Sequence, residues 1–463
     1  MFSKFHSVPL PHVFSFRTGP AARLTCLFAA LILFLALACG RHSEPVPASP
    51  SPGPTPPGMT APATPGMTAP MSPPGDVIAP NQAAADLHTL ATELATRHHD
   101  LFFRLPRERW DRLVAEAGGG LASLSRAGLA VRFAKLVAAV GDGHTELGLD
   151  AIPEFGRLPL VFERFPDGLF ITGIDDAHAA FRGKRVTHIG KLEVAAAVAT
   201  VEPLISHDNA GSLSIRVGAF LAIPEVLSAL GIIQTGGPAR ITTADGETLE
   251  LSRVASWKEV RWAVPSGPVP LHLRKPQLAY WNDYLPEHRA LYFKYNRCAD
   301  DPAAGMTLAK LVEGTFAFMK QKPVERFVLD LRDNGGGDSR IAAPLIAALA
   351  ADPGLNRRGR LFVLIGPRTF SSAVLNTLEL RRRTRALLVG EPTGGRPSHH
   401  GEVKTFPLPQ TGWSVRYSTK YFTTDLVQGD PDAIVPDLPV ALTGADWVAG
   451  RDPVLDAALR HNP

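Results

Sequence analysis

Residues 359–383 read GRLFVLIGPRTFSSAVLNTLELRRR. The apolar run ending at Ile365 predicts a buried β-strand, and the spacing of apolar residues after Ser371 predicts an amphipathic helix. Ser371 falls at the junction. The first amides of a helix have no intrahelical partner and the macrodipole is positive at that end, so an oxyanion formed beside Ser371 would meet hydrogen-bond donors. Serine is also a favoured N-cap, so this stretch alone leaves two readings open, a cap and a nucleophile.

Outward from this junction, strands and helices alternate. RALYFKYN, a helix from about Leu308 to Lys320, RFVLDLRDNGGG, a helix around Ile341 to Ala351, RLFVLIG, the Ser371 helix and RALLVGEPTGG follow one another. Such alternation predicts βαβ units on a largely parallel sheet, which presents its sites at the carboxyl ends of its strands. DLRDNGGG (330–337), FSSA (370–373) and GEPTGG (390–395) all fall at such ends. Glycine lets a backbone amide approach a ligand without a side chain in the way, so the 335–337 run is a candidate anion cradle as well as a tight turn. The GxxxxGK[ST] pattern of a phosphate loop is absent from the sequence.

Upstream, helical periodicity marks AADLHTLATELATRHH, RERWDRLVAEAG and SRAGLAVRFAKLVAAV, a helical subdomain over 81–150 that ends at VGDGHTELGL. The short β-branched runs LFITGI, KRVTHIG and ARITTADGETLEL predict a separate α+β module over 156–260. Its strand and turn order loosely resembles a PDZ-type peptide-binding domain. Residues 24–38, LTCLFAALILFLALA, follow a basic lead and are too short for a comfortable membrane span, which predicts a signal peptide over 1–38. Cys39 resembles the lipid-acceptor cysteine of a bacterial lipoprotein, while Ala36 and Ala38 also satisfy ordinary signal peptidase. Residues 39–80 are dominated by Pro, Ala, Ser, Thr and Gly, with PGMTAP at Pro57 and again at Pro65, and predict an extended tether.

The 463 residues are 45% hydrophobic and 20% charged, enough core-forming material for two or three domains. The formal charge is +4, from 48 Lys+Arg against 44 Asp+Glu, but Lys4, Arg17 and Arg23 lie in the leader; the remaining 45 against 44 leave +1. No nucleic-acid partner is implied. Cys26, Cys39 and Cys298 are the three cysteines; with the leader removed and Cys39 lipidated, no disulfide framework exists. Neither HExxH nor a cysteine zinc set occurs, and no metal or cofactor is expected.

A serine nucleophile needs a base. His144 in GDGHT is one candidate, and His399 and His400 in RPSHHGE are others. GDGHT, DLRDNGGG, FSSA and GEPTGG, in this order, resemble the S41 serine peptidases, the family of tail-specific (C-terminal processing) proteases and the tricorn core. The resemblance spans nearly everything after the tether. It implies an α/β and α+β multidomain chain with an N-terminal helical subdomain, a PDZ-like insert and a βαβ core of the ClpP/crotonase kind over 270–463. It also implies Ser371 as nucleophile.

The lysine base of tail-specific members is matched here by Arg396, which stays protonated and cannot accept a proton. The tricorn-like alternative draws its histidine from the segment matched by His144. That alternative places an acid near Asp430, with Asp432, Glu402 and Asp142 as other orienters of the imidazole. The Gly336 and Ser372 amides are the expected oxyanion hole. The implied function is an exported peptidase of the bacterial cell envelope, anchored in the membrane through lipidated Cys39, acting on peptides or unfolded proteins. A binding protein on the same scaffold, lacking activity, is the alternative.

Overall fold

The computed structural model describes residues 77–265, 267–300 and 305–462. The leader at 1–38, Cys39 and the tether up to residue 76 lie outside the described residues. Three helices open the chain, α1 (Pro80–Arg97), α2 (Arg107–Gly118) and α3 (Arg126–Ala138), followed by a short strand β1 (Glu146–Leu147). The predicted module follows: β2 (Leu160–Phe165), β3 (Gly168–Ile174), β4 (Arg185–Ile189), β5 (Leu192–Glu193), β6 (Ala239–Thr243) and β7 (Thr248–Leu251). They form an antiparallel sheet of order β2-β3-β4-β6-β7, with β5 on β4. Its helices are α4 (Val194–Val201), α5 (Ala210–Phe220) and α6 (Pro224–Ala229). The apolar stretch 219–233 is therefore not one helix: Pro224 has no amide to continue α5 and starts α6 instead.

The C-terminal part holds β8 (Tyr280–Leu285), β9 (Ala290–Tyr295), α7 (Leu308–Met319), β10 (Arg326–Asp330), α8 (Ala343–Ala351), β11 (Leu361–Ile365), α9 (Ser372–Arg383) and β12 (Leu387–Gly390). A hairpin of β13 (His399–Pro407) and β14 (Ser414–Phe422), strand β15 (Leu438–Pro439) and helices α10 (Gly444–Val448) and α11 (Pro453–Arg460) complete the chain. The core sheet has the order β15-β12-β11-β10-β9-β8 and is parallel except for β8.

All five residues of β11 are buried, as expected of a strand covered on both faces. Alternate side chains serve different layers: Leu361, Val363 and Ile365 pack with Ala373, Val374 and Leu378 of α9, whereas Phe362 and Leu364 pack with Val454, Leu455 and Ala458 of α11. At the carboxyl ends of β9 and β10 a buried ion network replaces apolar packing. The Arg332 guanidinium bridges Asp330 at 2.7 Å and Asp452 at 2.7 Å, and Lys294 reaches Asp330 at 3.3 Å and Asp333 at 2.6 Å. These pairs fix where the 330–337 loop leaves the sheet.

The β13–β14 hairpin shares no sheet with the parallel core. It pairs with β1 through Glu146↔Arg416 and Leu147↔Val415, and its Phe406, Trp413, Val415 and Tyr417 pack with Leu90, Leu94 and Phe133 of the N-terminal helices. Buried Asp86 of α1 accepts the Gln410 and Thr411 amides at 2.8 and 2.9 Å. The N-terminal helices thus close their core against a hairpin that begins a few residues beyond the GEPTGG loop, and this pairing carries GDGHT to the carboxyl ends of the parallel strands.

Candidate active site

The strand β11 stops at Gly366, and residues 366–370 turn tightly. Thr369 fastens this turn, since its hydroxyl donates to the Leu331 carbonyl at 2.9 Å and accepts from the Gly366 amide at 3.1 Å. The Phe370 amide donates to the Asn334 carbonyl at 3.0 Å, joining the turn to the glycine loop. Ser371 then occupies φ 51°, ψ −125° at the N-cap of α9 and its side chain makes no capping hydrogen bond. A non-glycine residue held at positive φ costs on the order of 1–3 kcal/mol, which the surrounding packing must offset. Ser371 is thus the N-cap residue by position, but its hydroxyl does not cap the helix. Its neighbour Ser372 is engaged, donating from its hydroxyl to the Gly337 carbonyl at 2.5 Å.

Two glycine loops press on Ser371. Gly336 lies at φ 107°, where a Cβ would stand 2.8 Å from Ser371 Cβ and 3.0 Å from the Ser372 amide nitrogen; a Cβ on Gly395 would stand 3.1 Å from the Ser371 nitrogen. The Gly336 amide, expected in the oxyanion hole, donates instead to Asn334 Oδ1 at 2.9 Å, and Asn334 Nδ2 is fixed to the Tyr295 carbonyl at 3.0 Å. Gly336→Ala is expected to lower stability by about 1–3 kcal/mol, through strain at positive φ and the collision with Ser371. It should cost at least about tenfold in kcat/KM, because sub-ångström misplacement at a reacting centre is expensive. Thermal melts and peptidase assays on the same preparation check both.

His144 is 4% exposed, and neither ring nitrogen has a hydrogen-bond partner among the described residues. Its ring stacks on Phe370, the residue before Ser371, with centroids 4.6 Å apart and planes at 28°, and also on His399 at 5.7 Å. The structure therefore brings the GDGHT histidine against the FSSA turn. Burial pushes the His144 pKa down to about 3, and the field of Asp142 only partly opposes this. The ring is accordingly a neutral imidazole.

Asp142 holds the GDGHT turn. Its Oδ1 accepts the His144 amide at 2.9 Å, and its Oδ2 accepts Ser418 Oγ at 2.6 Å, Thr145 Oγ1 at 2.5 Å and His98 Nε2 at 3.1 Å. His98 Nδ1 accepts the Asp100 amide at 3.1 Å, so the His98 proton sits on Nε2 and points at Asp142. Burial alone would raise the Asp142 carboxyl, but the His98 bond, the His144 ring and the two hydroxyls hold it well below the usual range. Asp142 Oδ1 lies 3.8 Å from His144 Nδ1. Asp208 is a second buried carboxyl here, accepting the Gly143 amide at 2.8 Å on Oδ1 while its Oδ2 has no partner among the described residues.

The other expected residues have different partners. Asp430 pairs with Arg396 at 2.7 Å, and Arg396 also binds Asp432, so both acids neutralise a guanidinium. An acid so engaged is not shown against the His144 ring. His399 Nδ1 donates to the Arg396 carbonyl at 2.9 Å, and His400 packs against Phe103 and Tyr421, where burial lowers its pKa to about 4. Asp208, His98 and Ser418 carried no signal in the sequence, because each acts through a partner far away in the chain, whereas Asn334 stands in DLRDNGGG and holds the Gly336 amide two residues on.

No protein-family model matches this sequence, and no curated protein matches it. Solved structures nevertheless share its fold, that of the S41-family peptidases. The chain superposes on mature CPAF complexed with lactacystin with a TM-score of 0.58 and 14% identity, covering 82% of this chain and 98% of that one. A second structure of mature CPAF gives a TM-score of 0.54 at 14% identity, over 82% of this chain and 97% of that one. A putative S41 protease from Bacteroides fragilis is more distant, with a TM-score of 0.33 at 12% identity over 67% and 83%.

Proposed function

We propose that the chain is a serine peptidase in which Ser371 is the nucleophile and His144 its general base. The observation that carries this reading is a buried imidazole, its nitrogens without a hydrogen-bond partner among the described residues, stacked on Phe370, next to a Ser371 whose hydroxyl makes no capping bond. His144 takes the Ser371 proton as Oγ attacks a peptide carbonyl carbon, then delivers that proton to the leaving amine; water, deprotonated by the same ring, releases the acyl group and restores Ser371. Asp142, fixed by four donors, supplies the negative charge that favours the transient imidazolium. It replaces Asp430 in that role, since Asp430 answers Arg396. The Ser372 amide at the α9 N-terminus is the first oxyanion donor, and the Gly336 amide joins it when Asn334 Oδ1 yields it.

A cavity of about 710 Å3 lies between the inserted module and the carboxyl ends of the core strands, lined among others by Phe165, Leu213, Arg332, Arg368 and Trp447. Its size suits a stretch of extended peptide, and a PDZ-like role for residues 156–260 would deliver one there. In this reading 1–38 is an export signal and Cys39 the lipid anchor.

Labelling with a fluorophosphonate tests the proposal, because only an activated serine reacts. Ser371 should carry the adduct, found by peptide mapping; an unlabelled folded protein would refute the reading. The pH profile follows from the His144 pKa. A base with a folded pKa of about 3 remains unprotonated throughout the neutral range, so the labelling rate should stay flat from pH 8 down to about 5, without the usual histidine limb near 6.5. The same depression makes the unfolded state bind more protons between about pH 6.5 and 3, so stability falls as pH drops through that window, by up to about 1.4 kcal/mol per unit.

A further inference from the structure

We infer that Asp142, His144 and Asp208 form a binding site for a divalent metal ion of the zinc class, and that its occupancy withdraws His144 from Ser371. The binding claim stands on the side chains alone; the inhibitory consequence rests on the peptidase reading. Each of the three residues is buried and offers one ligand atom, and these atoms all lie within 4.8 Å of one another. Both His144 nitrogens and Asp208 Oδ2 lack a hydrogen-bond partner although their residues are only 4% and 7% exposed. Buried polar atoms left in this state are costly, and a ligand to which they all donate removes the cost.

Charge supports the same conclusion. Two carboxylates in a dry site repel each other. A proton or a cation relieves that repulsion, and a cation also engages the imidazole. The supporting shell suits a metal site: His98, Thr145 and Ser418 orient Asp142, and the Gly143 amide orients Asp208. A cavity of about 40 Å3 adjoins the two carboxylates, lined by Arg104, Gly141, Asp142, Asp208, Arg396 and Asp430, with His144 behind its wall.

One imidazole and two carboxylates leave a fourth position for water, a donor set suited to zinc, whereas magnesium and calcium favour all-oxygen shells. Tetrahedral arms of about 2.0–2.2 Å place donors about 3.3–3.6 Å apart, so groups spread over as much as 4.8 Å must draw together on binding. That contraction fixes the imidazole on the metal, where its lone pair no longer serves Ser371.

The test uses the full chain stripped with EDTA. Calorimetry with Zn2+ and visible absorption with Co2+ measure binding, and fluorophosphonate labelling measures the consequence. Binding of one ion per chain is expected, with labelling slowed at least about tenfold at saturating Zn2+ and restored by EDTA. Asp208→Asn keeps an oxygen for the Gly143 amide, so it should fold and label normally without metal while losing at least about tenfold in Zn2+ affinity. His144→Ala should abolish the Co2+ absorption band, and Mg2+ should leave labelling unchanged. Failure of the wild type to bind Zn2+ or Co2+, or unchanged binding in folded Asp208→Asn, would overturn the site. Zinc binding by a chain that never labels would leave the site standing and sink the peptidase reading.

Discussion

Replacing Ser371 with alanine should lower kcat/KM on an unstructured protein substrate by at least about 10³-fold while moving the thermal midpoint by no more than about 2 °C. The asymmetry follows from the local geometry. The Ser371 hydroxyl caps nothing, so its removal orphans no amide, and alanine suffers the same positive φ that serine already tolerates. The small void left by one oxygen lies in a half-buried position. Fold and activity should therefore separate in this variant. Full activity in the folded variant would remove Ser371 from the mechanism.

His144→Ala should lose activity to a comparable extent, because nucleophile and base act as a unit and removing either costs nearly as much as removing both. Unlike the serine variant, it should also destabilise, by about 1–3 kcal/mol, since the buried ring packs against Phe370 and His399 and leaves a cavity between them. Added imidazole should restore part of the rate by entering that cavity. The control is His399→Ala, whose ring lies in the same stack but is tied through Nδ1 to the Arg396 carbonyl. If His399→Ala lost the rate and His144→Ala kept it, the base would belong to the loop after GEPTGG.

Much of this was legible in the chain. The strand ending at Ile365, the helix after Ser371 and the glycine run at 335–337 were readable because their signals are local: a continuous apolar run, apolar residues at helical spacing, and glycine where a backbone must turn or approach closely. Arg396 was readable as something other than a base because a guanidinium keeps its proton. The acid was not readable in the same way. Asp430 stands near a Pro-Asp landmark, yet it answers the charge of Arg396, whereas Asp142 lies two residues from His144 and is ordered by His98, Thr145 and Ser418. Sequence distance to a landmark does not say which charge a carboxylate will meet.

By itself, the sequence determined the alternating core, the helical N-terminal segment and the strand-rich module between them, and its motifs singled out Ser371 and His144 as candidates. The elements follow from short-range periodicity, and the two candidates from the resemblance carried by the FSSA and GDGHT motifs. Tertiary structure alone decided that His144 stacks on Phe370, the residue before Ser371. The β13–β14 hairpin, which local pattern did not reveal, pairs with β1 and completes the core of the N-terminal helices, placing GDGHT beside the turn before α9. It also decided that Asp208 joins His144 and that the Gly336 amide is held by Asn334. The physical reason is that burial and hydrogen-bond partners are long-range properties: they belong to the packed chain, and no window of neighbouring residues contains them.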